Sequence, residues 1–182
     1  MRKTILLAAV LMLVASVAHG QLGTTAPTAT VAVNVNAEAA LTIQTTALTL
    51  SQSGTNFTDY SGTTNFTYFI RTTKSGGTGS IVLQVTSDFS PAGGPSVGTP
   101  PTASDHLYYS CTVPNPSNGT ATPCTGPVNS STGSQTNVAG FNADSRSPKA
   151  GVASSVTWGL SNDPLYQTGS YTATITYTIS AS

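Results

Sequence analysis

Beyond residue 20 the chain holds one histidine, His106, two cysteines, Cys111 and Cys124, and six carboxylates: Glu38, Asp59, Asp88, Asp105, Asp144 and Asp163. Nucleophilic catalysis needs a base placed beside a serine or cysteine. His106 follows Asp105 at the start of an alternating segment, where a solvated strand-end histidine is the simpler reading, and no Gly-x-Ser-x-Gly elbow occurs. The few acids, mostly beside loop residues such as Asn162 and Pro164, are a thin stock for the paired carboxylates of glycoside hydrolysis. Calcium loops need clustered oxygen ligands in a D-x-D-x-D-G pattern, which is absent; Asn142 with Asp144, and Asn162 with Asp163, read as turn formers. The SGGTG of Ser75–Gly79 lacks the following Lys and the strand-to-helix setting of a phosphate loop. The expectation is a protein that is not an enzyme and takes no cofactor or metal.

The two cysteines enclose CTVPNPSNGTATPC, rich in proline and turn residues. In an exported chain this predicts a Cys111–Cys124 disulfide that staples a protruding loop. Closing a loop of this size is worth about 3 kcal/mol in the chain-entropy model. The spacing fits neither a zinc site nor a C-x-x-C redox pair. Binding chemistry rests on Tyr108, Trp158 and Tyr166, whose rings are the candidates for stacking on sugars. Trp158 shares the parity of Val156 and Leu160, which points it at the core, whereas Tyr108 lies opposite Leu107 and Tyr109 and is the better exposed of the three.

The elements that must position these residues are strands. Residues 1–20 read as a cleaved export signal: Arg2 and Lys3, the apolar run Ile5–Val17, then Ala18 and Gly20 before the cut. A Thr/Pro-containing leader spans 21–28. TVAVNVN follows as a half-buried strand with Val31, Val33 and Val35 on one face. Leu41 and Ile43 share one parity and Leu48 and Leu50 the other, so a bulge or a change of sheet is expected near Thr45–Ala47. Residues 51–65 read as a loop.

NFTYFIRT, SGGTG and SIVLQVTS read as a hairpin, with Phe66, Tyr68 and Ile70 in phase with Ile81, Leu83 and Val85. The prolines and glycines of 90–104 predict a loop. Further strands are expected at HLYYSCTV, around Val138–Phe141, at GVASSVTWGLS, and at the closing GSYTATITYTISAS, which should lock the sandwich near the Trp158 strand. Apart from the signal, no window has a helical apolar period. The fold class is therefore all-β: a single immunoglobulin-like antiparallel β-sandwich of about seven to eight strands over residues 29–182, with an antiparallel barrel as the alternative.

Charge removes further classes of function. With the signal gone, Arg71, Lys74, Arg146 and Lys149 stand against six acids, a formal charge of −2, and all are scattered singly. No basic patch for nucleic acid and no amphipathic segment for a membrane is present. The charged fraction of 7% is far below the roughly 25% of ordinary globular chains, so Thr, Ser, Asn and Gly must supply solubility. No second apolar stretch would hold the exported chain in a membrane.

The signal, the TVAVNV opening and the closing GSYTATITYTIS resemble bacterial secreted immunoglobulin-like surface proteins, such as pilin and spore-coat-type subunits. Trp158-Gly159-Leu160, followed by Tyr171-Thr-Ala-Thr, is similar to the first motif of the WxL cell-surface family; that family's second motif is absent, and Tyr177-Thr178-Ile179 stands where it would fall. The resemblance implies an exported structural or adhesive protein of the cell surface, extracellular space or periplasm, or alternatively a binding module for cell-wall or other polysaccharide. Its expected partners are further copies, other surface proteins or the wall. Val31, Val33 and Val35 are the candidate face of a strand lent to a neighbour, against the simpler alternative that this strand pairs within its own domain.

Overall fold

The computed structural model describes residues 29–182, so the expected signal and leader lie outside it. The chain divides into two compact units, one reaching Asn34 and the other spanning Val35–Ser182. In the first, the described residues 29–34 form no strand. The second is all-β, a sandwich of two antiparallel sheets. One sheet holds β1 (Glu38–Ile43), β2 (Ser51–Gln52), β3 (Tyr60–Arg71), β5 (Leu107–Thr112), β7 (Val128–Asn129) and β9 (Val152–Leu160), in the order β1-β3-β9-β5-β7 with β2 also on β3. The other runs β10 (Thr172–Ala181), β4 (Gly79–Ser90), β8 (Thr136–Phe141) and β6 (Ala121–Pro123).

Period-two alternation builds the core. Phe66, Tyr68 and Ile70 of β3, Ile81, Leu83 and Val85 of β4, Leu107 and Tyr109 of β5, and Val156, Trp158 and Leu160 of β9 all point inward and are buried. Each such side chain contributes about 1.5–3 kcal/mol relative to an exposed one. Rings tilt against one another in this layer, Tyr68 on Phe141 of the facing sheet at 5.0 Å and Tyr109 on its cross-strand neighbour Trp158 at 5.4 Å between centroids.

Several expectations change. The segment predicted as a strand at TVAVNV pairs with no strand among the described residues; the first sheet begins at Glu38. β3 and β4 are not a hairpin, because they lie in different sheets and face each other across the core. Alternation fixes which face of a strand is buried, and that is the same whether the next strand lies beside it or opposite it. Thr72–Thr78 carry the chain between the sheets, with the Thr72 hydroxyl donating to Asn142 O at 2.9 Å and accepting from Ser145 N at 2.9 Å.

The phase slip at Thr45–Ala47 is neither a bulge nor a change of sheet. The chain bends there, and β1 and β2 pair with successive parts of β3. The presumed loop 51–65 contains β2 and the first half of β3. The closing strand β10 pairs with β4, in the sheet opposite the Trp158 strand. The bridge between Cys111 and Cys124 is formed, and it does more than staple a loop. Cys111 lies in β5 of one sheet, while Cys124 directly follows β6 of the other, so the bond ties the two layers.

Candidate interaction surface

Among the described residues β10 is an edge strand: β4 pairs along one side of it and no strand pairs along the other. Its ten residues contain no charge, proline or glycine. Outward it carries Thr172, Thr174, Thr176, Thr178 and Ser180, joined to β4 by hydroxyl contacts such as Thr86–Thr176 at 3.0 Å and Ser80–Ser180 at 3.0 Å. Inward it carries Ala173, Ile175, Tyr177, Ile179 and Ala181, and every one is only half-buried. The neighbouring row on β4 is sealed, with Ile81 and Leu83 at 0% exposure.

Across the sandwich, Ala39, Leu41 and Ile43 of β1 are also half-buried, and β1 packs on β10. The core is therefore covered on the β5–β8 side and partly open along the β1/β10 side. Tyr177 occupies this margin. Its hydroxyl is buried near Thr64 and Trp158 and makes no hydrogen bond among the described residues, while Trp158 Nε1 donates to Thr64 Oγ1 at 3.0 Å. Desolvation pushes its phenol up to about 12.

The candidate donor residues are on display: Val31 is 93% exposed, Val33 81% and Val35 64%. Just before β1, Arg71 fixes the chain by donating from Nε to Asn36 O at 2.6 Å and from Nη2 to Glu38 at 2.8 Å.

The stacking candidates fare differently. Trp158 is 4% exposed, so neither ring face is free for a sugar. Tyr108 and Tyr166 are half-buried at one end of the sandwich, where their hydroxyls donate to carboxylates: Tyr108 to Asp59 at 3.2 Å and Tyr166 to Asp105 at 3.2 Å. Both phenols are pushed up, first by burial and then by those carboxylates. Tyr108 lies flat over Gly159, which occupies one face of its ring. Asp105 is buried, and desolvation raises its carboxyl, as does hydrogen bonding with Asp163. Asp163 is held low, first by the Thr102 hydroxyl and then by Leu165 N–H. With the Thr102 hydroxyl and Leu165 N–H on Asp163, and the Tyr166 hydroxyl on Asp105, the two carboxylates hold the 163–166 turn against the start of β5. Among the described residues no three of His, Cys, Asp and Glu converge as metal ligands would, and no helix is long and apolar enough to cross a membrane.

The open inner row of β10 and the grouping of the charges escaped sequence reasoning. The alternation of β10 was visible, but being an edge is a property of neighbours, and the absence of charge gave no sign of it. The chain matches no protein-family model, no curated protein and no solved structure.

Proposed function

We propose that this chain is an exported structural or adhesive surface protein, a subunit whose copies join by adding residues 29–36 of one to the sheet edge of another. The observation that carries the reading is the β10 edge, long and uncharged, with a half-exposed apolar row beside its unpaired backbone. Such an edge is a template for a further strand, and proteins that stay monomeric blunt it with charge, proline or a bulge. The bulges of β10 sit only at its start, between Thr172 and Ile175.

A strand laid on β10 gains backbone hydrogen bonds, and its alternate side chains cover the margin between β10 and β1. Val31, Val33 and Val35 have the matching period and are exposed. The disulfide and the low charge suit an oxidising extracellular compartment.

The test compares residues 21–182 with residues 38–182 by light scattering and electron microscopy. Oligomers or filaments from the longer chain and folded monomers from the shorter one are the expected result. Unfolding of the shorter chain overturns the reading, because the segment then serves its own domain. Monomers from both, with retention on peptidoglycan or polysaccharide, transfer the function to a glycan-binding module.

A further inference from the structure

Ten charged side chains occur beyond residue 28, and the topology gathers four of the six acids at one end and all four cations at the other. β3 runs the length of the sandwich, with Tyr60 opposite Leu160 and Leu160 opposite Leu107, so Asp59, Asp105 and Asp163 meet at one end. Asp88 joins them near the end of β4, because the loop after it accepts Gln167 N at Gly93 O, 2.8 Å. None of the four cations is there.

All four lie at the opposite end. Arg71 closes β3 and bridges Arg146, Lys74 sits in the turn between β3 and β4, and Lys149 precedes β9. Glu38 and Asp144 are at this end too, each paired with an arginine, at 2.8 Å to Arg71 and 3.3 Å to Arg146. Lys74 and Lys149 are exposed, and an open hollow of about 600 Å³ is lined by Glu38, Arg71, Arg146 and Lys149. The side chains thus give four negative charges at one end and a net of two positive, four less two, at the other. Twelve residues of β3 separate the ends by about 36 Å, several Debye lengths at physiological salt, so they do not neutralise each other within one molecule.

We infer that copies of this chain stack head to tail, the acidic end around Asp59, Asp105 and Asp163 of one copy against the basic end around Lys74 and Lys149 of the next. The inference rests on the self-association proposed above and supplies its direction. It also agrees with strand addition. Ala37 leads into Glu38, which pairs with Arg71 at the basic end, whereas β10 begins at the acidic end, Thr172 opposite Ser90. The arm of a copy docked by its basic end enters its neighbour at the acidic end. Followed from residue 36 back to 29, it runs from the start of β10 toward its finish, which makes the added strand antiparallel to β10. Opposite charges at the ends select this pairing over like-to-like contacts and speed encounter.

The experiment uses residues 21–182 in sedimentation velocity at about 20 mM and about 0.5 M salt. Lys74→Glu/Lys149→Glu reverses the basic end, and Asp59→Lys/His106→Lys weakens the acidic one. Association that falls about tenfold or more in high salt, and by a similar factor in each variant alone, is the expected result. The two variants mixed at low salt should form a heterodimer and stop there, since only one of the two possible junctions keeps both its charges; this also shows that both are folded. Association indifferent to salt and to both variants overturns the head-to-tail inference alone. If the reversals weaken association but removing residues 21–37 does not, head-to-tail stacking stands and strand donation falls. A wild-type chain that stays monomeric at low salt overturns both.

Discussion

Tyr108 lies across Gly159, its cross-strand partner, so closely that a methyl group added at 159 would overlap the ring. This accounts for the glycine in Trp158-Gly159-Leu160. Trp158 and Leu160 fill the core from one face of β9, while the position between them must be bare for the tyrosine of β5 to lie flat on the other. Cross-strand pairs of an aromatic ring over glycine restore packing that the glycine forgoes. Gly159→Ala should therefore cost about 1–3 kcal/mol by overpacking. In a Tyr108→Ala background the same change should cost clearly less, and a urea double-mutant cycle reads the difference. Equal costs in both backgrounds would show that the ring does not constrain the site.

Breaking the bridge between Cys111 and Cys124 should cost about 3 kcal/mol, as expected for closing a loop of this length. Because the bond joins β5 in one sheet to the end of β6 in the other, the loss should be global. Cys111→Ala/Cys124→Ala should lower the urea midpoint seen by tryptophan fluorescence and by circular dichroism alike. A change confined to proteolysis of residues 112–123 would return the bridge to a local staple.

What could be read in the sequence was what depends on a residue and its neighbours two places away. The rows Phe66/Tyr68/Ile70, Ile81/Leu83/Val85 and Val156/Trp158/Leu160 are buried as their alternation requires. The loop between β4 and β5 follows from its prolines and glycines. Placement of one strand beside another was not legible: β3 and β4 carry in-phase rows and a turn between them, yet they face each other. Val31, Val33 and Val35 alternate as well as Ile175, Tyr177 and Ile179 do, yet the first set is exposed and the second half-buried. The acids at positions 59, 88, 105 and 163 are far apart in sequence, and only the strand order brings them together.

Asp88 organises the loop that follows it. Its carboxylate accepts from Phe89 N at 2.8 Å, Ser96 Oγ at 2.7 Å, Val97 N at 2.7 Å and Gly98 N at 3.0 Å. Desolvation pushes this carboxyl up, but the bonds from Val97, Ser96, Gly98 and Phe89 outweigh it and hold it below the ordinary range. A folded-state value below the unfolded one, near 3.9, stabilises the fold above that pH and is lost as pH falls through the folded value. Asp88→Ala should cost about 1–3 kcal/mol near neutral pH and expose residues 91–101 to protease, and its penalty should shrink in acid. A penalty that does not change with pH would show that the charge is not what the loop uses.

Tyr68 and Tyr177 make a matched pair for the last prediction. Burial pushes both phenols up to about 12, but the Tyr68 hydroxyl donates to Pro114 O at 2.7 Å, whereas that of Tyr177 has no partner among the described residues. Removing a satisfied buried hydroxyl loses a hydrogen bond and strands its acceptor; removing an orphan relieves a desolvation cost. Tyr68→Phe should therefore destabilise by about 1 kcal/mol near neutral pH, and Tyr177→Phe should be neutral or stabilising by a similar amount. The alkaline behaviour has the same sign for both residues. A folded value above the unfolded one, near 10, means that stability is complete below about pH 10 and falls as pH rises toward the folded value. Each Phe variant should flatten that fall by one proton's share, read from urea midpoints near neutral pH and at about pH 11. If Tyr177→Phe instead costs as much as Tyr68→Phe, the Tyr177 hydroxyl has found an acceptor at the β1/β10 margin, and the open row of β10 is better sealed than its exposure implies.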